Sequence, residues 1–164
     1  MANADKPCGF KFGYTLHGGP PAIHKYTNTA VAIYPGDHVY LSAGRVETVI
    51  STEGGMGVAM NYVSATSGQD VWVMDDLQNT IFIVQCDEDD VTATTQIGDF
   101  YDVLATTGNT TTLKSLQELN TDASGEDQLE LIGLVDRPDN DWGEFCDVYV
   151  RFNVDTRLQT KTIT

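Results

Sequence analysis

Two acidic runs are the densest groups of side chains in this chain that could do chemistry. The first is "CDEDD" at 86–90, closing an apolar stretch; the second is "DRPDNDWGE" at 136–144. Carboxylates at this density could gather around calcium, which takes several carboxylate and carbonyl oxygens from a loop. They could also divide into a general acid and a general base. Neither run matches the D-x-[DN]-x-[DN]-G register of an EF-hand loop. In the second run a structural role accounts for more of the residues. Pro138 fixes a turn, Asp139 and Asn140 can bond neighbouring backbone amides, and Gly143 frees the chain before the next strand. Trp142 is expected to fold back over the adjacent apolar surface. Arg137, Pro138, Asp139, Asn140, Asp141, Trp142 and Gly143 are therefore read as a structural turn.

Nucleophilic catalysis needs a Ser, Cys or Thr beside an oriented base. The histidines, His17, His24 and His38, all lie in the first quarter of the chain, and no serine sits in a G-x-S-x-G elbow. Cys8 lies near His17, but in a glycine-rich stretch that cannot hold a catalytic geometry alone. There is no Walker loop, no GxGxxG after a strand and no HExxH. No catalytic, cofactor-binding or metal-ligating residue is assigned, and no cofactor is expected. Cys8, Cys86 and Cys146 include no CxxC pair, so free thiols in a reducing compartment are expected. Cys86 and Cys146 each fall in an apolar strand pattern and are read as small buried hydrophobes.

The elements that would position these groups are strands. "TAVAIY" stops at Pro35-Gly36-Asp37, "HVYLS" turns at Ala43-Gly44 into "RVETVIS", and "MGVAMNYV", "DVWVMDD" and "TIFIVQC" follow. Turn signals every 8–12 residues or so between alternating segments predict an antiparallel sandwich or barrel. "LELIGLVD" and "FCDVYVRFNV" are the clearest strands. The fold class is thus all-β: a compact antiparallel β-barrel or β-sandwich with an extended N-terminal arm and at most one short helix. The best helix candidate is "TQIGDFYDVLATTG", about 95–108, with Ile97, Phe100, Tyr101 and Leu104 near one face.

Residues 1–28 are read as the arm, 29–155 as the domain with a polar excursion over about 87–127, and 156–164 as a polar tail. Gly-Gly-Pro-Pro in the arm cannot continue a helix or a central strand, yet Phe10, Phe12, Tyr14 and Ile23 are too apolar for a plain disordered tail. The arm either gains order against another surface or packs along its own domain. In the first case Phe10, Phe12, Tyr14, Pro20, Pro21 and Ile23 are the contact residues, and deleting residues 2–24 leaves the domain folded.

Charge narrows the partners. The chain carries a net charge of -15 over 164 residues, concentrated in its second half. Such a surface repels nucleic acid and anionic lipid, so neither is expected as a partner. The stretch 75–102, with no Lys or Arg, is expected to face solvent or a basic neighbour. No apolar run approaches the roughly 20 residues that span a bilayer. The start lacks a basic and apolar leader, so synthesis and retention in a cytosol are expected.

Two ends of the chain resemble the head-decoration, or capsid cement, proteins of tailed bacteriophages. The opening resembles that family's start through Ala2, Asn3, Asp5, Pro7, Gly9 and Phe10. The closing hairpin resembles its terminal signature through Arg137, Pro138, Asn140, Asp141, Trp142, Gly143 and Asn153. "YPGDHVYLSAGRVETVISTEGGMGVAM" is similar to the barrel-forming middle of such proteins, whereas 86–127 carries no likeness and Cys8 departs from the pattern. The resemblance implies a β-rich, commonly trimeric module without catalysis. It would bind a major capsid protein and sit on the outer surface of a virion head, bridging capsomers. The alternative is a carbohydrate-binding β-sandwich using Trp72, Tyr62, Tyr101 and Trp142 as an aromatic platform. A small β-barrel enzyme using its carboxylates as acid and base is a third reading.

Overall fold

The computed structural model describes residues 3–49, 54–87, 94–121 and 128–153. Their alternating segments form eleven strands: β1 (Lys11–Thr15), β2 (Ile23–Thr27), β3 (His38–Ser42), β4 (Arg45–Thr48), β5 (Gly57–Ala59), β6 (Asp70–Met74), β7 (Thr80–Gln85), β8 (Phe100–Leu104), β9 (Glu118–Asn120), β10 (Leu129–Leu134) and β11 (Asp147–Phe152). All pair antiparallel, in a six-stranded sheet of order β1-β7-β11-β10-β8-β9 and a five-stranded sheet of order β2-β6-β5-β3-β4. The two sheets pack together as an all-β sandwich.

Turn chemistry sets the corners. Tyr34-Pro35-Gly36-Asp37 closes through Asp37 N–H to the Tyr34 carbonyl at 3.0 Å, with Gly36 at φ 93, where glycine is favoured at the third position of a type II turn. A side chain on Gly36 would also meet the Cys8 carbonyl at 2.8 Å, so this turn is where the N-terminal segment crosses. The β3–β4 hairpin turns at Ala43 and Gly44, both with positive φ, as a two-residue turn matched to strand twist requires.

The five-stranded sheet buries apolar side chains on both faces. In the register His38↔Val58↔Met74, side chains point toward the six-stranded sheet; in the rows on either side, Ala59 with Val73 and Val39 opposite Gly57 point the other way. That second face is covered because the sheet curls until its edges meet. Asn28, just past β2, bridges Val46 of β4, and the Thr29 N–H donates to the Val46 carbonyl at 3.2 Å. Ile33 and Val63, bridged to each other, complete the cluster with Val46, Met56 and Val71. The sandwich and barrel alternatives therefore meet in one layer.

The larger core lies between the sheets, around Phe152. Its ring packs on Phe10 (5.0 Å between centroids), Phe82 (5.2 Å) and His38 (4.2 Å). His38 is fully buried, and among the described residues neither ring nitrogen has a hydrogen-bond partner. It occupies the space a side chain on Gly55 would need. Its backbone N–H is held by the buried Gln117 side chain at 2.6 Å.

Of the two readings of the N-terminal segment, packing along its own domain is the one found: β1 pairs with β7 and β2 with β6, and Phe10 is 3% exposed in the core. Glycine and proline confine the irregular backbone to the β1–β2 connection and leave the apolar residues free to pair. Removing residues 2–24 would take out a whole edge strand and a core ring. The helix candidate is instead a single 3-10 turn, Thr94–Gln96, followed by β8. Gly98 at φ 92 breaks any helical continuation, and Tyr101 and Val103 are buried at strand spacing. The polar excursion supplies β8 and β9 to the larger sheet, while the tail from 156 lies outside the described residues.

The acidic stretch is not all solvated. Asp87 and Asp102 are buried, Asp75 accepts from His24 and Tyr26, and Asp99 is exposed; residues 88–93 lie outside the described residues.

Two outcomes follow. Phe10→Ala should cost about 3–5 kcal/mol, against about 0.5 kcal/mol or less for the exposed Phe12→Ala, read from urea melts. The second concerns acid. Burial pushes the His38 imidazole from 6.5 down to about 3, so below pH 6.5 the unfolded chain binds a proton that the folded one refuses, and stability falls. Asp37 runs the other way. Burial raises it from 3.8 to about 6, against the hydrogen bonds of Ser115 and the Tyr34 N–H, so its contribution grows as pH falls from 6 to 3.8. His38→Leu should therefore abolish the acid loss and leave a profile that rises over that window. Urea midpoints across the range check this; parallel profiles for the two proteins would refute it.

Candidate functional site

The acidic turn at 136–144 is built inward, around one amide. Asn140 is buried, and its side-chain N–H groups donate to the carbonyls of Val135 and Asp147, both at 2.8 Å. Its side-chain oxygen accepts the Asp147 N–H at 2.8 Å. One side chain thus satisfies three backbone groups where β10 passes to β11. Outside, Arg137 reaches the Asp147 carboxylate at 2.7 Å and Asp139 at 3.3 Å. Trp142 is half-buried on the main core. The Cys146 N–H closes onto the Gly143 carbonyl, and Gly143 takes a φ of 141.

Asn3 locks the turn from the far end of the chain. Its side chain donates to the carbonyls of Asp141 (2.8 Å) and Glu144 (2.9 Å) and accepts the Asp141 N–H (3.1 Å). The Gln85 side chain holds the next residues, donating to the Ala4 carbonyl at 3.0 Å and accepting the Lys6 N–H at 2.8 Å. Among the described residues no three His, Cys, Asp or Glu side chains converge as a metal-ligating group.

The exposed apolar residues are the other candidate. Phe12 and Tyr14 of β1 are 44% and 41% exposed. β1 is an edge strand whose register slips at Gly13, a bulge of the kind that re-aims side chains at sheet edges. Tyr14 leans on the Tyr149 ring at 5.6 Å. Beside β1 a groove of about 520 Å³ opens between the sheets. Val58 and Met74 line it with Phe12, Met60 and Leu113, and Lys11 and Lys114 also line it. Neither lysine is in an ion pair among the described residues.

Leu113 stands at the groove with φ 54, a left-handed conformation costing roughly 1–2 kcal/mol for an L-residue. Asn109 enforces it: its side-chain oxygen accepts the Thr111 and Thr112 N–H groups, and its carbonyl accepts the Leu113 N–H at 2.8 Å. An exposed leucine held in a strained backbone is a reason to look for a partner.

The expected contact residues are thus divided. Phe12, Tyr14 and Ile23 are exposed, Pro20 is exposed and Pro21 half-buried in the β1–β2 connection, and Phe10 is core. Ile23 pairs in register with Met74 of the groove. The aromatic platform does not assemble, because Tyr101 is buried and Trp142 packs on the core. Leu113 escaped the sequence reading, since nothing in "NTTTLK" marks its backbone. No α-helix long and apolar enough to cross a membrane occurs among the described residues. Scanned against protein-family models the chain matches none, and no curated protein matches it.

The turn makes its own test. Asn140→Ala strands three buried backbone groups and should cost about 2–4 kcal/mol. Trp142→Ala should cost less than the roughly 3–5 kcal/mol of a fully buried ring, and Asp139→Asn about 0.5 kcal/mol or less. Thermal melts in calcium and in EDTA should coincide for all three; a melt of Asp139→Asn that drops only with calcium present would assign the turn to an ion.

Proposed function

We propose that the protein is a capsid cement protein, binding the outer surface of an icosahedral phage head and stabilising the contacts between capsomers. The observation that carries this reading is the meeting of the chain's two ends. The segments resembling head-decoration proteins are 138 residues apart at Asn3 and Asp141, yet they are hydrogen-bonded to each other. Two short likenesses that form one structural unit are harder to attribute to chance than two unconnected ones.

The apolar edge supports the same reading. Phe12, Tyr14, Ile23 and Leu113 offer exposed apolar surface, beside two lysines in no ion pair among the described residues, on a chain of net charge -15. The partner is a major capsid protein, and the protein acts as a homotrimer. A ligand that binds only the assembled lattice stabilises it by mass action. A standard interface buries roughly 1,600 Å², and three linked copies multiply its effect. The remaining acidic surface faces solvent, away from the packaged genome.

Heads assembled from the cognate major capsid protein provide the test. The purified protein should co-sediment with them saturably. Phe12→Ser with Tyr14→Ser should weaken binding at least about tenfold while costing only about 1 kcal/mol of stability, the share of the Tyr14–Tyr149 ring contact. Leu113→Gly should weaken it too while leaving stability nearly unchanged, the relieved backbone strain offsetting the added unfolded-state freedom. Failure of the wild type to bind heads before and after expansion would overturn the proposal.

A further inference from the structure

Cys86 and Cys146 are separated by 60 positions, and the sequence presents them as unrelated buried thiols. In the fold their sulfur atoms lie 3.5 Å apart, both side chains fully buried. They follow directly from the β7–β11 register, in which Asp147 faces Gln85. The next pair outward is Cys146 and Cys86, joined by the Cys86 N–H donating to the Cys146 carbonyl at 2.8 Å. All three cysteines are free thiols in this structure.

We propose that Cys86 and Cys146 are a cystine-forming pair, joined in an oxidising medium by one intramolecular disulfide that staples β7 to β11. The inference does not depend on the function proposed above. Cys146 and Cys86 face each other one position beyond the Asp147–Gln85 pair, and facing residues of an antiparallel pair have Cα atoms about 4.5–5.5 Å apart, inside the range of about 4.4–6.8 Å found for disulfides. The sulfurs need only close to about 2.05 Å, a side-chain movement that leaves the ladder in place. Cys8 is elsewhere, at the groove. No third ligating side chain joins the pair among the described residues, so its chemistry is that of two thiols.

The oxidant is a peroxide, small enough to reach a buried pair. Each thiol has the other beside it at 3.5 Å, and the first to ionise, taken here as Cys146, is the nucleophile. The Cys146 thiolate attacks one peroxide oxygen, the O–O bond breaks, and the departing hydroxide takes up the thiol proton as water. The Cys86 sulfur then attacks the Cys146 sulfenic acid. The S–O bond breaks, and the hydroxyl leaves as water with the Cys86 proton. Two thiols lose two electrons in all, and hydrogen peroxide is reduced to two waters.

The test treats reduced, desalted full-length protein with hydrogen peroxide, then denatures it, alkylates remaining thiols and maps the peptides. The expected product has lost two hydrogens, retains only Cys8 for alkylation, and yields a linked Cys86–Cys146 peptide. Its melting midpoint should rise by about 10 °C, as expected for closing a loop of this length, and dithiothreitol should reverse both changes. Cys8→Ser should behave identically, while Cys146→Ser should show neither link nor rise. Should Cys146→Ser fail to fold, the wild-type peptide map still decides. Three alkylatable thiols after peroxide, sulfinic acid at Cys86 or Cys146, or links through Cys8 would each overturn the proposal.

Discussion

The packing of Phe152 against Phe10, Phe82 and His38 is the contact on which the rest of the molecule depends. Phe82 and Phe152 come from neighbouring strands of the six-stranded sheet, His38 from the five-stranded sheet, and Phe10 from the segment preceding β1. One aromatic group therefore joins both layers and fixes the N-terminal chain between them. Its geometry imposes a polar cost, because the imidazole nitrogens have no partner among the described residues. The ring is tolerated there as a neutral, flat shape that phenylalanine rings can cover. Gly55 leaves it the necessary room.

A second constraint acts at the opposite edge of the main core, through amides. Asn140 gathers the backbone inside the β10–β11 turn, and Asn3 gathers it outside. Both use the same property, a side chain that donates and accepts at once. The carboxylates crowded around them in sequence therefore serve as spacers and Arg137 partners. This is how a run that reads like an ion site becomes a corner.

Much of the layout was legible in the sequence because its signals are local. Pro35-Gly36-Asp37, Ala43-Gly44 and the alternation in "TIFIVQ" and "DVYVRF" each specify their own backbone. Where pairing is remote, the reading weakened. Phe10, Phe12 and Tyr14 suggested an arm because nothing nearby announces β7, some seventy positions on, as their partner. Ile97, Phe100, Tyr101 and Leu104 fit a helical face as well as a strand. Only the place of β8 in the sheet, between β10 and β9, decides between them. The candidate site divides in the same way. Asn140 could be read as a turn residue from its neighbours, but Leu113 owes its place to Asn109 and the groove, neither of which a linear pattern reveals.

The strand order has a consequence for how the protein is made. β11, the last strand of the described chain, lies inside the larger sheet between β7 and β10. Translation proceeds at about 5–20 residues per second, so Asn3 waits roughly 7–28 seconds for Asp141, 138 residues later. Until β11 is made, β7 lacks the neighbour on its second side, and Phe10 and Phe82 lack Phe152. The nascent chain is an open, sticky sheet until β11 arrives. Topologies dominated by such remote pairings fold slowly. The vulnerable stage of this molecule is its synthesis, and a ribosome that pauses before residue 147 leaves the centre of the sheet exposed.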